Sequence, residues 1–334
     1  MIKICICGGG ALGHVCAGVL ASQDDTKVNV FTQQPERWSR HIEVTDLNGK
    51  VYEGNLVVVS NCAEEAINDC DIVFLCLPGF AIEKTLETIK PYIGNAAVGS
   101  IVCSTGFFFA AHRLLGDKAR LFGFQRVPFI ARTNVYGQSA NLLGYKPQLA
   151  IALENIENTE HFRLIVEKLW MTPVKLLSSH FEVSLTNSNP ILHTGRLYSM
   201  WKDWNGEVFD HMILFYKEWT VEASQMLIDM DAEFMSLLDV LPVTKGAIPS
   251  LLEYYESHDA ISLCNKISHI PAFQEIKSPM KEVEGGWIPD FDSRYFTEDF
   301  PYGLFFIKQL AEEKGIYTPA IDKVFAWGMS KCNK

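Results

Sequence analysis

Met1-Ile-Lys-Ile-Cys-Ile-Cys-Gly-Gly-Gly-Ala-Leu-Gly-His14 opens the chain, and its reading decides the fold. Ile2 to Cys7 is a short apolar run rich in β-branched residues, the pattern of a strand buried on both faces. Gly8, Gly10 and Gly13 follow in G-x-G-x-x-G spacing. Val15 to Ala21 is apolar at helical length, and Lys27 to Phe31 supplies a second strand. In such a strand–helix–strand unit Gly8 makes the sharp turn, Gly10 admits a close backbone approach, and Gly13 lets helix and strand pack tightly. The N–H groups around Ala11 and Leu12 then lie at the positive end of the helix dipole, a seat for a pyrophosphate. The competing reading is a glycine turn that binds nothing. The motif's place directly after a strand and at the start of a helix argues against it.

The remaining sequence bounds the class. With 334 residues, the chain exceeds what one hydrophobic core usually fills, so two domains are expected, at 1–180 and 181–334. A net charge of −11 with no basic cluster argues against a nucleic-acid surface. No apolar run is long enough to span a bilayer, so no membrane partner is expected. The nine cysteines fit neither a zinc site nor a disulfide framework, and several fall inside strand-like runs. They read as reduced core thiols of a cytoplasmic protein, with no metal and no targeting segment expected.

After the second strand comes Thr32-Gln-Gln-Pro-Glu-Arg37. NAD-selective sites carry an acidic residue at this point; Thr32 replaces it here, and Arg37 can meet a 2′-phosphate. The expected cofactor is therefore NADP (NADPH) in preference to NAD, the alternative being that Arg37 stacks on adenine or faces solvent. Residues 42–60 read as a hairpin around Asn48-Gly49, with Leu56 to Ser60 as its second strand. Asp71 to Pro78 is the next buried parallel strand, and Leu77 and Pro78 at its carboxyl end are expected beside the cofactor. Further strands are expected at Val98–Ser104 with Thr105 and Gly106 as exit, at Arg120–Pro128 with Gln125 at its exit, at Leu149–Leu153 and at Val174–Leu177. Beyond about 180 the periodicity turns helical, at Phe209–Leu227, Asp231–Leu241, Leu251–Leu263 and Pro301–Lys314. The fold class is thus α/β, a doubly wound Rossmann-type sheet, followed by an all-α C-terminal domain.

Two stretches of the second half carry candidate chemistry. Thr186 to Arg196 contains Asn189-Pro190-x-x-His193, and Arg294 to Leu304 contains Arg294-Tyr-x-Thr-Glu-Asp299-x-Pro301-x-Gly303-Leu304. Individually, His193, Asp299 and Arg294 are ordinary residues. Together with Gly8-x-Gly10-x-x-Gly13 they give the chain, over nearly its whole length, a resemblance to the opine dehydrogenases, the octopine/nopaline dehydrogenase group. That resemblance implies a reductive condensation of a 2-oxo acid such as pyruvate with the amino group of an amino acid. It implies His193 as general acid/base, Asp299 as its carboxylate partner and Arg294 as a substrate clamp. Histidine titrates near neutrality, a carboxylate on its far nitrogen fixes the tautomer, and arginine's planar fork suits carboxylates.

Asn189 and Gln125 are further substrate-binding candidates, with a helix cap and a turn hydrogen bond as their structural alternatives. Arg196 reads as a helix surface charge in preference to an anion contact. The aromatic and methionine residues Trp201, Trp204, Phe209, Met212, Phe215, Tyr216 and Trp219 read as core or as a helix–helix interface in preference to a substrate pocket, with a homodimer as one way to cover them. A ketopantoate-reductase-like enzyme is the runner-up, but Glu182 to Asn189 lacks the lysine such an enzyme uses. Other 2-oxo or 2-hydroxy acid reductases and a non-catalytic NADP-binding sensor complete the alternatives.

Overall fold

A computed structural model describes residues 1–103 and 106–332, so Ser104, expected to end a strand, and Thr105, expected in its exit loop, lie outside the described residues. The chain divides into two units, Met1–Ser184 and Leu185–Lys334. The first begins with β1 (Ile2–Cys7), α1 (Ala11–Ala21), β2 (Thr26–Phe31), β3 (His41–Asp46), β4 (Val51–Asn55), β5 (Val58–Ser60), α2 (Ala63–Ile67) and β6 (Ile72–Leu75). It continues through α3 (Gly79–Ile89), β7 (Ala97–Ser100), α4 (Phe107–Leu115), β8 (Leu121–Phe124), β9 (Phe129–Val135) and β10 (Ser139–Tyr145). It ends with β11 (Leu149–Glu154), α5 (Thr159–Trp170), β12 (Val174–Leu176) and α6 (His180–Leu185).

Eight of these strands form one sheet in the order β12-β11-β8-β7-β6-β1-β2-β5, parallel from β5 to β8, with β11 antiparallel to β8. Strand alternation explains why both faces are covered. Ile4, Ile6, Val28, Val30 and Phe74 feed one core with α1 and α5, while Cys5, Cys7, Phe31, Val73 and Leu75 feed the other with α2, α3 and α4. Cys5 and Cys7 are buried thiols, as expected, and burial pushes the Cys5 thiol well up. The chain leaves β1 for β2 on one side and returns to β6 on the other. The strand order therefore switches beside β1, where a doubly wound sheet opens its ligand crevice.

A second sheet, β4-β3-β10-β9, lies against α1. A β-carbon on Gly18 would meet Val44 at 2.4 Å, and one on Gly54 would meet the Ala21 carbonyl oxygen at 2.1 Å, so both glycines are spacers for this contact. The hairpin around Asn48-Gly49 is present, but its second strand is Val51–Asn55 and not Leu56–Ser60. Only Tyr52 of Val51–Asn55 is buried, so that strand carries little apolar signal. The apolar run Leu56 to Ser60 contributes β5, which pairs with β2 in the main sheet. Strands β9 and β10 were not expected from the sequence; each buries only two of its residues, too few for a clear alternation.

The second unit is helical: α7 (Asn189–Trp201), α8 (Val221–Leu238), α9 (Leu251–Tyr254), α10 (Ala260–Ser268), α11 (Arg294–Thr297), α12 (Phe305–Lys314) and α13 (Pro319–Cys332). A hairpin of β13 (Met280–Val283) and β14 (Gly286–Pro289) is added to them. Phe209 to Trp219, expected to begin a helix, instead runs alongside this region. Phe209 exchanges both backbone hydrogen bonds with Trp287 at 2.8 Å, and Leu214 bridges Lys277. The helix begins only where the Thr220 hydroxyl accepts the Ala223 N–H and caps it. No helix of the described residues is long and apolar enough to cross a membrane.

On α8 the Asp231 carboxylate is buried and accepts the Leu251 N–H at 2.8 Å. Burial raises its pKa to about 6. The folded state therefore holds the proton more tightly than the unfolded chain. That stabilisation is complete below about pH 4 and is lost as pH rises through about 6. Asp231→Asn, which keeps an acceptor and removes the charge, is expected to stabilise the fold by roughly 1–3 kcal/mol at pH 8. Thermal unfolding at pH 8 and pH 4 checks this, and the gain should vanish at the lower pH.

Candidate active site

In the first unit, Gly8 turns with φ +130°, a conformation natural to glycine, and a β-carbon there would lie 2.5 Å from the Cys76 carbonyl oxygen. On Gly13 a β-carbon would lie 2.0 Å from the carbonyl oxygen of Gly8, so the glycine lets α1 close onto the turn. Gly10 faces open space. The three glycines thus have distinct local causes, and the open one adjoins the first turn of α1 at Ala11 and Leu12. A cavity of about 540 Å³ lies at this end of the sheet, lined by Gly8, Gly9, Thr32, Leu77, Phe80 and Lys84 among others. The free helix end and the open face of Gly10 fit a dinucleotide's pyrophosphate. Among the described residues no carboxylate lines the cavity beside Thr32. Pro78 precedes α3 as its N-cap residue.

Arg37 does not line this cavity. It is exposed, donates to the Gln34 side chain at 2.7 Å and lies over the Tyr136 ring at 4.2 Å. Tyr136 is a cavity residue that the sequence reading missed, because it sits in the turn between two unrecognised strands. Its hydroxyl and the Thr32 hydroxyl flank Gly9 so closely that a β-carbon there would meet them at 2.7 and 2.8 Å. Gly137, at φ +73°, brings this turn onto the backbone of Arg37 and Trp38. Fully buried His14 ties the turn to the glycine motif. Its Nδ1 lies 2.9 Å from the Gly10 carbonyl oxygen, and its Nε2 lies 2.6 Å from the Gly137 N–H. A carbonyl only accepts and an N–H only donates, so the ring is the neutral Nδ1–H tautomer, and burial lowers its pKa accordingly.

In the second unit, His193 and Asp299, 106 residues apart, meet with Nδ1 and Oδ2 at 2.8 Å. The local sequence explains the meeting. Pro301 has no N–H and cannot sit in a regular helix interior, so Asp299–Leu304 widens into a π-helical turn and the α-helix starts at Phe305. Pro301 thus lies inside that turn, not in the first turn of an α-helix. Gly303 lets the turn approach α7, for a β-carbon there would meet Pro190 at 2.8 Å. Pro190 and His193 lie one turn apart on α7, so the close approach delivers Asp299 to the imidazole.

The other nitrogen of His193, Nε2, lies 3.1 Å from the Tyr216 hydroxyl. The rings of Tyr295 and Phe215 stand 4.7 and 5.6 Å away. Burial raises the Tyr295 hydroxyl's pKa, and Asp299 adds to the shift. Arg294, one residue before Tyr295, is exposed, with no side-chain hydrogen bond or ion pair among the described residues, so its donors are free for an anion. Asn189 is exposed at the start of α7 and caps nothing with its side chain. Gln125 stands just past β8 in the first unit, its N–H bonded to the Ala150 carbonyl. Arg196, expected on the surface, is buried. Its guanidinium donates to the carbonyls of Phe215, at 3.1 Å, and Glu218.

Comparison with known proteins supports this architecture. Residues 176–332 match the family model described as NAD/NADP octopine/nopaline dehydrogenase, alpha-helical domain, and residues 4–104 match the ketopantoate reductase model. The chain is 29% identical to octopine dehydrogenase of Pecten maximus, covering 100% of this chain and 91% of that protein. It is 28% identical to opine dehydrogenase of Haliotis discus hannai, covering 100% and 91%. A solved octopine dehydrogenase structure with NADH and L-arginine superimposes with a TM-score of 0.87 at 27% identity, over 100% of this chain and 90% of that one.

Gly13→Ala places its methyl against the backbone oxygen of Gly8, which cannot rotate away. Unfolding in denaturant is expected to show a loss of roughly 1–3 kcal/mol, with dinucleotide binding lost in the same variant by fluorescence titration.

Proposed function

Since the chain belongs to the opine dehydrogenase family and is an NAD(P)-dependent dehydrogenase acting on CH–NH donors, we propose that it joins a 2-oxo acid such as pyruvate to the amino group of an amino acid, with His193 as the acid/base. The observation that carries this reading is the 2.8 Å contact of His193 with Asp299, with Arg294, unpaired among the described residues, next in sequence to Tyr295, whose ring stands 4.7 Å from the imidazole. The bound dinucleotide supplies the hydride that reduces the imine. Loss of water from the condensing carbonyl needs a proton donor, and addition of water to the imine in the reverse direction needs a proton acceptor. His193 meets both needs through Nε2, while Asp299 holds Nδ1–H and stabilises the imidazolium. Arg294 offers two parallel N–H donors to a substrate carboxylate.

For the cofactor, we favour NADPH over NADH. The support is negative and electrostatic: Thr32 stands where a carboxylate would repel a 2′-phosphate, and none of the described residues brings a carboxylate to the cavity around it. Arg37 is near enough in sequence to join a bound phosphate, but it would have to leave Gln34 and Tyr136.

Oxidation of NADPH and of NADH, followed with pyruvate alone and with pyruvate plus pooled amino acids, tests the reading. Turnover that requires the amino acid and runs faster with NADPH is expected. Turnover with the oxo acid alone would make the protein a simple carbonyl reductase, and cofactor binding without any turnover would favour a sensor. His193→Ala is expected to bind cofactor normally and to lose at least about 10²-fold in kcat. Arg294→Lys is expected to raise KM for a carboxylate substrate, because a single ammonium cannot reproduce the two-pronged contact.

A further inference from the structure

Both ring nitrogens of His193 are occupied. Asp299 holds Nδ1, and the Tyr216 hydroxyl lies 3.1 Å from Nε2, the nitrogen through which a proton must be exchanged. With Nδ1–H donated to the carboxylate, Nε2 is an acceptor and the Tyr216 O–H is its donor. A substrate therefore reaches Nε2 in one of two ways: the tyrosine leaves, or the proton crosses its oxygen.

The surroundings of Tyr216 oppose its leaving. The residue is buried, and its ring stacks on Phe273 at 4.5 Å and on Trp219 at 6.0 Å, within 8° of parallel. Its backbone is pinned on both sides, because the buried Arg196 guanidinium donates to the carbonyls of Phe215 and Glu218. Arg196 stands on α7 three residues after His193. One helix thus carries the imidazole and also the brace that fixes the hydroxyl facing it.

We propose that Tyr216 is a catalytic residue that relays the proton between His193 Nε2 and the reacting substrate, and that Arg196 is its positioning residue. The proposal rests on the acid/base role of His193 given above. In the direction of condensation, the phenol O–H bond breaks as its proton passes to the substrate oxygen, and the imidazolium Nε2–H proton replaces it on the tyrosine oxygen. In the reverse direction the substrate's proton goes to the tyrosine oxygen while the phenol proton goes to Nε2. One proton enters and one leaves the tyrosine oxygen and no electrons change hands; the positive charge beside Asp299 is discharged in the direction of condensation and formed in the reverse. The phenolate never accumulates, in keeping with burial that raises the pKa of this hydroxyl.

Tyr216→Phe keeps the ring and its stacking, so it is expected to fold and to bind dinucleotide like the unmodified enzyme. Its kcat should fall by roughly 10²-fold with little change in KM. Retained or increased kcat would mean that the hydroxyl merely blocks Nε2, and would overturn the relay. Arg196→Lys, which cannot hold both carbonyls, should also lower kcat, but should cost nothing further in a Tyr216→Phe background. Additive losses would overturn the positioning role. The ¹⁵N resonance of His193 Nε2, observed without substrate, reads the contact apart from turnover. It should shift in Tyr216→Phe, and an unmoved resonance would overturn the proposal. If the unmodified enzyme turns over no 2-oxo acid and amino acid pair while that resonance does shift, the condensation reading fails and the hydrogen bond stands.

Discussion

The 2.8 Å contact between His193 Nδ1 and Asp299 Oδ2 constrains much of the second unit, because a hydrogen bond between residues 106 positions apart needs two helical segments held at a fixed spacing. Two residues without ordinary side chains provide that spacing. Pro301 forbids a regular helix and opens the π-helical turn that starts at Asp299, and Gly303 removes the atom that would keep this turn away from Pro190. The aromatic residues around the imidazole shield it on two sides and leave the pair only partly exposed, 12% for the histidine side chain and 21% for the carboxylate, so the contact is screened less than a surface pair. The motif of proline, glycine, histidine and aspartate is therefore one geometric device in which each residue has a separate steric or electrostatic task.

The first unit follows the same logic with different chemistry. Its glycine turn is defined by two backbone clashes that only glycine avoids, at Gly8 and Gly13, and by one open face at Gly10. The main sheet supplies the rest of the cavity because the chain leaves β1 on one side and comes back on the other, which parts the loops that follow.

Most of this was legible in the sequence because it rests on local rules. Alternating apolar runs marked the main-sheet strands, and the glycine spacing marked the turn. Three features were not legible, each for a physical reason. The β9–β10 pair buries one sparse face, so its alternation is weak and Tyr136 stayed hidden in its turn. The aromatic stripe from Phe209 to Trp219 mimics a helical face, yet these residues are held by backbone pairing with Trp287 and Lys277, a long-range event that no local window contains. Arg196 read as a surface charge because a buried guanidinium normally needs an anion. Here backbone carbonyls serve, and its pKa falls to about 10.

The imidazole of His14 joins an amide of the second sheet to a carbonyl of the glycine turn, with no solvent between them. The second sheet is thus a member of the same cooperative folding unit as the nucleotide turn. Local opening of the β9–β10 turn would cost the glycine motif one of its anchors, and a ligand that orders the motif would protect the Gly137 amide from exchange with solvent. The dinucleotide fold has in effect recruited a splint, so variation in the strands of that hairpin would be felt as a change in cofactor affinity even where Tyr136, the residue of its turn that lines the cavity, is left intact.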